Sequence, residues 1–387
     1  GVRGMSRRVV IITELIAPYR IPVFNALARR QGIDLHVIFL SENDCTQRQW
    51  RVYKDEIRFS YQVLSSWRRR LGRQSFLLNW GVQRALRKAF PDFIACGGYN
   101  YVAFWQSMSW ARRNGVAFSL WCESTRRDFR KAYPLIEFCK KQFLRQCDAF
   151  IVPGKSSLNY LRDCGVPLEL IFTAPNAVDT QYFANRAEVI RQTPARYRQA
   201  LRLPRRFFLY AGRLVREKGI FDLLHAYGAL QPELRESVGL VFVGDGPERS
   251  ALLEHAAATN PGSIQIVGFA QREELAAYYA LADIFVFPTH TDPWGLVVNE
   301  AMACGLPVIA SQATGCVVDL VAHGRNGRIV SVGNVQELAA AMADLAVDAG
   351  LCALMGRRSR ERIEQYSPEA WAAGVANAVT PQRRGAA

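Results

Sequence analysis

Residues 284–303 read IFVFPTHTDPWGLVVNEAMA and combine an apolar run, a glycine and two acids in one short segment. The opening residues predict a buried β-strand, and the apolar positions that follow Gly295 predict a helix packed on that strand. Such a junction directs free backbone N–H groups and the positive end of the helix at the connecting loop, which suits a phosphate. Asp292 lies just before the helix and Glu300 lies in its second turn. Two acids beside an anion site would repel the anion, so we expect them to accept hydrogen bonds from hydroxyls, as on a sugar or a ribose.

A second loop carries a pair of cations. Residues 207–212 predict a strand, and residues 220–224 belong to the helix that follows it. Arg213 and Lys218 lie between them, and a guanidinium fork with an ammonium predicts a diphosphate clamp without a metal. The chain has no Asp-x-Asp pair for a bridging divalent cation and no histidines at ligand spacing, so we expect no metal and no cofactor. Solvated charge or chance spacing explains each piece alone, but the combination in this strand and helix context favours a site.

Motifs spread over residues 170–380 occur in the order in which one enzyme family carries them. They are Gly212-Arg213 with Lys218-Gly219, VGDGP at 243–247, VGF at 267–269, PTHTD at 288–292, Gly295-Leu296 and EAMACGLPVI at 300–309. In this order they resemble the donor half of the family 4, or group 1, retaining glycosyltransferases. The resemblance implies the GT-B fold: α/β, two doubly wound Rossmann-like domains facing a central cleft. It also implies transfer of a sugar from a nucleotide diphosphate donor with retention at the anomeric carbon.

The resemblance implies roles for individual residues. Arg213 and Lys218 would bind the donor diphosphate and stabilise the leaving nucleotide, and Asp292 would hold a hydroxyl of the donor sugar. Glu300 would hold the ribose hydroxyls. The other donor-site positions are Gly212, the N–H groups of Gly295, Leu296 and Val297, and the backbone near Phe269, which would read the base. Asp292 stands where the family's Glu-x7-Glu signature begins with glutamate. The shorter side chain requires a closer sugar or a different hydroxyl.

Alternating strand and helix signals along all 387 residues predict two α/β domains. We assign residues 5–175 to an amino-terminal acceptor domain and residues 176–366 to the donor domain. Residues 367–387 would form a helix that crosses back to the first domain, as the resemblance implies. Residues 41–75 show no clear periodicity, whereas the apolar residues within 76–90 recur at helical spacing.

The carboxyl ends of the predicted strands in the first domain are where an open α/β sheet places its active groups. The acceptor-side candidates there are Glu14, Tyr19, Arg20, Tyr99 and Glu123. The run Ala-Pro-Tyr-Arg that ends at Arg20 is similar to the start of family members with lipid-linked or lipopolysaccharide acceptors, which would let Arg20 face a phosphate. Capping of the next helices explains Glu14 and Glu123 equally well.

Net charge is confined to the first half of the chain. Residues 1–175 contain 28 Lys and Arg against 13 Asp and Glu, a balance of +15 that equals the net charge of the whole chain. The cations cluster at 68–70, 84–88, 112–113 and 126–131. With Trp67 and Trp80 nearby, the basic face of residues 76–90 predicts a surface for anionic lipid headgroups, with each cation contributing about 1 kcal/mol. A solvated basic helix fits the pattern nearly as well, and without a nucleic-acid-binding motif we expect no nucleic-acid partner.

The cysteines and the apolar runs indicate a cell compartment. Nine cysteines, without a Cys-x2-Cys pair, argue against a disulfide framework or a zinc site and for a reducing cytosol. No apolar run approaches the length that spans a bilayer, and the start lacks a signal-peptide pattern. We expect a cytoplasmic protein that is peripheral at the inner face of the cytoplasmic membrane.

These observations predict a metal-independent, hexosyltransferase-type glycosyltransferase. It would use a UDP- or GDP-sugar and a hydroxyl of a glycan or lipid-linked glycan, in cell-surface polysaccharide or lipopolysaccharide biosynthesis. Two alternatives remain open at this point: a Rossmann-type NAD(P)-dependent oxidoreductase and a non-enzymatic polyanion-binding protein.

Overall fold

The computed structural model describes residues 6–42, 51–71, 74–125, 134–259 and 264–380. The chain divides into two compact units: unit 1 comprises residues 1–176 and 368–387, and unit 2 comprises residues 177–367. The boundary lies one residue beyond the predicted one. The basic cluster predicted at 126–131 and the end of the predicted last helix, 381–387, lie outside the described residues.

Unit 1 is built around a parallel sheet. Its strands are β1 (Arg7–Thr13), β2 (Ile33–Phe39), β3 (Ser60–Val63), β4 (Ser65–Leu71), β5 (Gln74–Trp80), β6 (Phe93–Cys96), β7 (Ala117–Trp121), β8 (Ala149–Val152) and β9 (Ile171–Thr173). Seven of them pair in the order β3-β2-β1-β6-β7-β8-β9, whereas β4 and β5 form a separate antiparallel hairpin. The central strands β6 and β8 are buried along their whole length, which agrees with their uninterrupted apolar sequences because helices cover both faces of a parallel sheet.

The helices of unit 1 before the boundary are α1 (Ile21–Ala28), α2 (Val82–Ala89), α3 (Val102–Asn114), α4 (Pro134–Arg145) and α5 (Lys155–Asp163). The helical interpretation of residues 76–90 is wrong for its first part, because residues 76–80 belong to β5. Leu77 is buried and Leu78 is exposed, which is the alternation of a strand. Leu78 fits a helical pattern in the sequence only because Val82 and Ala85 follow it at the spacing of a helix.

Unit 2 holds a six-stranded parallel sheet. Its strands are β10 (Phe207–Ala211), β11 (Gly239–Val243), β12 (Ile264–Gly268), β13 (Ile284–Phe287), β14 (Val308–Ser311) and β15 (Gly327–Val330). They pair in the order β12-β11-β10-β13-β14-β15. The direction of winding therefore reverses between β10 and β13, and this switch point is where a doubly wound sheet opens a crevice for ligands.

The helices of unit 2 cover both faces of this sheet. They are α6 (Thr180–Gln192), α7 (Pro194–Leu201), α8 (Ile220–Gly228), α9 (Pro232–Ser237), α10 (Arg249–Thr259), α11 (Arg272–Leu281), α12 (Leu296–Ala303), α13 (Val317–Leu320), α14 (Val335–Val347) and α15 (Ala349–Ile363). Strands β10, β11, β13 and β14 are fully buried between them, so the core of unit 2 is continuous through the sheet.

The last helix, α16 (Pro368–Val379), packs on unit 1. The ring of Trp371 is fully buried there, with its centroid 5.7 Å from that of Phe24 and 5.3 Å from that of Trp121. The chain therefore returns to unit 1 after completing unit 2. Across the described ranges, no single helix has the length and apolar character to cross a membrane, although α14 together with residues 349–379 would pass as a bent pair by length and composition.

Candidate functional site

Arg213 and Lys218 lie after β10, and Asp292 and Glu300 lie after β13. Strands β10 and β13 are hydrogen-bonded neighbours, with Phe208 opposite Ile284. The loop after β10 and the loop after β13 therefore meet at the switch point. This topology brings together Lys218 and Asp292, which are 74 residues apart in sequence.

Lys218 and Asp292 form an ion pair. The Nζ of Lys218 donates to Oδ2 of Asp292 at 2.7 Å and to the carbonyl of Thr291 at 3.0 Å. Both side chains are mostly buried, and Nζ lies 5.8 Å from the ring centroid of Phe287. The resemblance implied separate roles for these residues, on the diphosphate and on the sugar. Asp292 is the counter-ion of Lys218.

A close backbone approach positions Lys218. Gly219 follows it with φ of 68° and ends a 3-10 turn over Arg216–Lys218. A Cβ at Gly219 would lie 2.1 Å from the carbonyl oxygen of Pro288, so only glycine fits. The loop that carries Lys218 therefore packs closely against Pro288, where the loop that carries Asp292 begins.

The second oxygen of Asp292 fixes the acid loop. Its Oδ1 accepts from the N–H of Trp294 at 2.9 Å, two residues further on. The indole N–H of Trp294 in turn donates to Oδ1 of Asn299 at 2.9 Å inside the core. Asp292 thus organises the loop as well as neutralising Lys218.

Arg213 has different surroundings from Lys218. Its side chain is exposed, and its guanidinium makes no polar contact within the described part of the chain. Its carbonyl accepts from the hydroxyl of Tyr210 at 2.9 Å, and the ring of Tyr210 stacks on Phe287 at 6.1 Å. The backbone of the loop is therefore anchored while the guanidinium is available to a ligand.

The start of α12 offers two backbone donors. The N–H groups of Leu296 and Val297 have no acceptor among the described residues, whereas Val298 donates to the carbonyl of Gly295 at 2.9 Å. Gly295 precedes the helix with φ of 89°, and a Cβ there would lie 2.8 Å from Cγ2 of Thr314. The open helix start therefore depends on glycine at this position.

Thr314 is a residue that the sequence interpretation missed. It lies after β14, bridges to Asp292 through the backbone, and has a buried hydroxyl with no hydrogen-bond partner among the described residues. A threonine in a loop gives no signal in a single sequence, because only the fold brings it beside the start of α12.

Glu300 is half-buried and packs against a tyrosine. Its Oε2 accepts from the hydroxyl of Tyr279 at 2.8 Å. Burial raises the pKa of Glu300 to about 7, although the hydrogen bond from Tyr279 opposes the shift. The carboxyl therefore changes its protonation state near neutral pH, a property that sequence alone did not indicate.

The two remaining donor-side predictions lie at the ends of β10 and β12. Gly212 follows β10, and its N–H donates to the carbonyl of Val243 at 3.0 Å. Phe269 follows β12 and is exposed. Both lie at the carboxyl edge of the sheet, as expected for ligand-facing positions, and their roles stay predictions.

The three charged acceptor-side candidates of unit 1 form ion pairs. The guanidinium of Arg20 pairs with Glu123, donates to Oδ1 of Asn176 at 3.0 Å, and lies 4.2 Å from the ring centroid of Trp121. Arg20 thus faces a carboxylate, whereas the sequence suggested a phosphate. Glu14 pairs with Arg68 at 3.0 Å and does not cap the following 3-10 turn, which has no side-chain cap.

The tyrosine candidates differ in burial. Tyr19 is half-buried beside Arg20, whose guanidinium carbon lies 5.3 Å from the ring centroid. Tyr99 belongs to an inner group with Tyr160 and Lys140, and burial raises the pKa of both tyrosines. The Nζ of Lys140 lies 4.9 Å from the ring centroid of Tyr160 and 3.2 Å from Oε2 of Glu137. Sequence reasoning missed this buried lysine, because it looks like ordinary helical charge.

A protein metal site needs several His, Cys, Asp or Glu side chains close together. In the ranges that the structure describes, no group of three or more His, Cys, Asp or Glu side chains is placed to hold a metal ion.

The fold is GT-B, with a Rossmann-like parallel sheet in each unit. The crystal structure of Alr3699/HepE from Anabaena in complex with UDP and glucose aligns with a TM-score of 0.73. The alignment covers 97% of this chain and 100% of that chain at 17% identity, which establishes the shared fold.

Family models match both units. The model described as "Glycosyl transferases group 1" matches residues 193–362, and "Glycosyltransferase Family 4" matches residues 24–182. The chain belongs to the family 4, group 1 glycosyltransferases.

Curated relatives match over part of their length. D-inositol 3-phosphate glycosyltransferase of Streptomyces bingchenggensis is 33% identical over 187 residues, 46% of this chain and 41% of that protein. GDP-mannose-dependent alpha-mannosyltransferase of Corynebacterium glutamicum is 32% identical over 206 residues, 52% of this chain and 45% of that protein. The chain thus spans less than half the length of these relatives.

Proposed function

We propose that this protein is a retaining, metal-independent glycosyltransferase that moves a sugar from a UDP- or GDP-sugar to a hydroxyl acceptor. The acceptor would be a glycan or lipid-linked glycan in cell-surface polysaccharide or lipopolysaccharide biosynthesis. The observation that carries the proposal is the Lys218–Asp292 ion pair at the switch point of unit 2, beside the open start of α12.

The diphosphate of the donor would replace Asp292 as the partner of Lys218. Arg213 has a free guanidinium, and the N–H groups of Leu296 and Val297 are free donors among the described contacts. A diphosphate that draws Lys218 away would leave Oδ2 of Asp292 open to a sugar hydroxyl. The family relationship supports this division of roles, with Glu300 holding the ribose.

The family relationship supports a transfer step in which the acceptor attacks the same face of the sugar. The oxygen of the acceptor hydroxyl bonds to the anomeric carbon on the face from which the diphosphate leaves, and the bond from that carbon to the phosphate oxygen breaks. The leaving phosphate oxygen takes the acceptor proton, while Arg213 and Lys218 offset its growing negative charge.

The basic balance of residues 1–175 supports an acidic or membrane-bound acceptor. We propose that the enzyme works at the cytoplasmic face of the membrane, where such acceptors can be presented. Membership of the glycosyltransferase family favours sugar transfer over the oxidoreductase and polyanion-binding alternatives.

A thermal-shift screen against UDP, GDP, ADP and NAD, with EDTA present throughout, tests the proposal. A nucleotide diphosphate at a hundredfold its Kd should stabilise the protein by about 2.7 kcal/mol. Transfer to a glycan acceptor should then give a product with the anomeric configuration of the donor by NMR. An inverted product would contradict retention, loss of activity in EDTA would contradict metal independence, and stabilisation by NAD alone would favour the oxidoreductase.

A further inference from the structure

We propose that the outward face of the β4–β5 hairpin of unit 1 inserts into the interface of an anionic phospholipid bilayer. The inference rests on the proposed function for the class of acceptor, and deepens it by naming the side chains that would bring the enzyme to a lipid-linked substrate.

Strand pairing assigns the hairpin side chains to two faces. Trp67 lies opposite Leu78, Arg69 lies opposite Phe76, and Ser65 lies opposite Trp80. Because side chains alternate along a strand and opposite residues share a side, these six residues form one face. Residues 66, 68, 77 and 79 form the other.

The inward face holds the hairpin on unit 1. Leu77 is 3% exposed and belongs to the core of this unit. Nδ2 of Asn79 donates to the carbonyl of Leu40 at 2.5 Å, and Arg68 pairs with Glu14 at 3.0 Å. An isolated two-stranded hairpin is marginally stable, so these contacts fix its orientation and leave the opposite face outward.

Four of the six residues on the outward face are large, apolar and exposed to solvent. Its large side chains are 46% exposed at Trp67, 48% at Phe76, 43% at Leu78 and 58% at Trp80. An exposed cluster of this kind marks an interaction surface. Tryptophan and aliphatic side chains together suit the boundary between lipid headgroups and acyl chains.

Charge around the hairpin matches an anionic bilayer. Residues 57–91 contain eight Lys and Arg and no Asp or Glu. Helix α2 follows the hairpin directly and exposes Arg84, Arg87 and Lys88. An anionic headgroup layer would attract these cations while the hairpin face meets the acyl chains.

Single-stranded nucleic acid is the competing partner, since it also favours cations beside aromatic rings. Leu78 distinguishes the two partners. It lies in the middle of the face, opposite Trp67, where an aliphatic side chain gains from hydrocarbon contact and offers no ring for a base to stack on.

Vesicle flotation of the full-length protein tests the proposal. The vesicles are phosphatidylcholine alone, or phosphatidylcholine with an equal amount of phosphatidylglycerol. The unmodified protein should float with the anionic vesicles, and Trp67→Ser/Trp80→Ser should bind them roughly tenfold more weakly. Leu253→Ser/Val347→Ser removes two exposed apolar side chains of unit 2 and should float like the unmodified protein.

A second variant separates lipid contact from misfolding. Trp67→Phe/Trp80→Phe keeps an apolar face but removes both indoles. Vesicles with brominated acyl chains should quench the tryptophan fluorescence of the unmodified protein, and this variant should lose most of that quenching while it still floats.

The proposal is overturned if the unmodified protein does not float. It is also overturned if Trp67→Ser/Trp80→Ser floats like the unmodified protein, or if Trp67→Phe/Trp80→Phe is quenched as strongly as the unmodified protein. Tighter binding to a single-stranded RNA oligonucleotide, lost in the serine variant, would make the partner a nucleic acid and also overturn it. UDP and GDP thermal shifts are measured on the same proteins. Vesicle binding without any nucleotide binding would contradict the proposed function alone, and the reverse result would contradict only the role of the hairpin.

Discussion

Arg213 and Lys218 belong to one loop but have unequal surroundings. Arg213 is exposed without a polar partner in the described chain, whereas Lys218 neutralises Asp292. We expect Arg213→Ala to lower kcat about 100-fold or more, because one preorganised charge on the leaving group is lost, with no change in the free energy of unfolding. Lys218→Ala should lower kcat similarly and destabilise the protein by about 1 kcal/mol, because Asp292 loses its partner.

Donor turnover and urea unfolding of the two variants test this difference. Arg216→Ala is a matched control, since its exposed side chain pairs with Glu248 away from Asp292. Near-normal kcat in both Arg213→Ala and Lys218→Ala would show that the diphosphate clamp is wrongly assigned.

Asp292 competes with a diphosphate for Lys218. Asp292→Asn keeps an oxygen for the N–H of Trp294 but removes the negative charge. We therefore expect UDP or GDP to bind about fivefold more tightly, because Lys218 is released, while kcat falls because the sugar hydroxyl loses its acceptor. Calorimetric titration and turnover measure the two effects separately. Weaker nucleotide binding would mean that Asp292 positions Lys218 for the diphosphate and does not restrain it.

We expect Glu300 to make both stability and nucleotide binding depend on pH. Its folded-state pKa is raised from 4.5 to about 7, so ionisation favours the unfolded state progressively through this window, and the loss of stability is complete above pH 7. Glu300→Gln should therefore melt higher than the unmodified protein above pH 7 and nearly equally at pH 4.5. It should also bind UDP or GDP more weakly above pH 7, because the ribose loses a carboxylate acceptor.

Melting curves across this pH range measure the first effect, and nucleotide titration the second. A constant difference in melting temperature at all pH values would show that the carboxyl does not titrate in the window. An unchanged nucleotide affinity would remove Glu300 from the ribose site.

At the scale of a single element, we expect the proposed donor site to depend most on the start of α12. Gly295→Ala should destabilise the protein by about 1–2 kcal/mol, because a Cβ strains the left-handed backbone and meets Thr314. It should also weaken nucleotide binding, since the N–H groups of Leu296 and Val297 are displaced. Gly228→Ala, at the end of α8 with open space around it, is the control and should leave binding unchanged. Equal behaviour of the two variants in nucleotide titration would remove the helix start from the site.

At the scale of the whole molecule, the two units have separate cores. The core of unit 2 surrounds its six-stranded sheet, and the core of unit 1 surrounds its seven-stranded sheet, against which α16 buries Trp371. Trp371→Ala should lower the stability of unit 1 by about 3–5 kcal/mol, whereas UDP or GDP should stabilise unit 2.

Differential scanning calorimetry tests this separation. We expect two transitions, of which Trp371→Ala lowers one and the nucleotide raises the other. A single transition that both changes shift equally would contradict independent unfolding of the units.

The sequence determined the features that arise from local pattern. The apolar runs at 207–212 and 284–287 predicted β10 and β13, and the motifs around Arg213 and Asp292 predicted the family. Continuous apolar strands and glycine-bearing loops need no distant partner to be recognised, because their signals lie within a few residues.

Only the tertiary structure decided contacts between distant residues. It paired Lys218 with Asp292, Arg20 with Glu123, and Tyr279 with Glu300, and it placed Thr314 beside the start of α12. Residues 76–80 were predicted as helix, but they form part of a strand. Phe76, Leu78 and Trp80 lie on the outward face of the hairpin as a result. Ion pairing, burial and the shift of a pKa depend on which groups the fold brings within a few ångströms, and a linear sequence does not contain those distances.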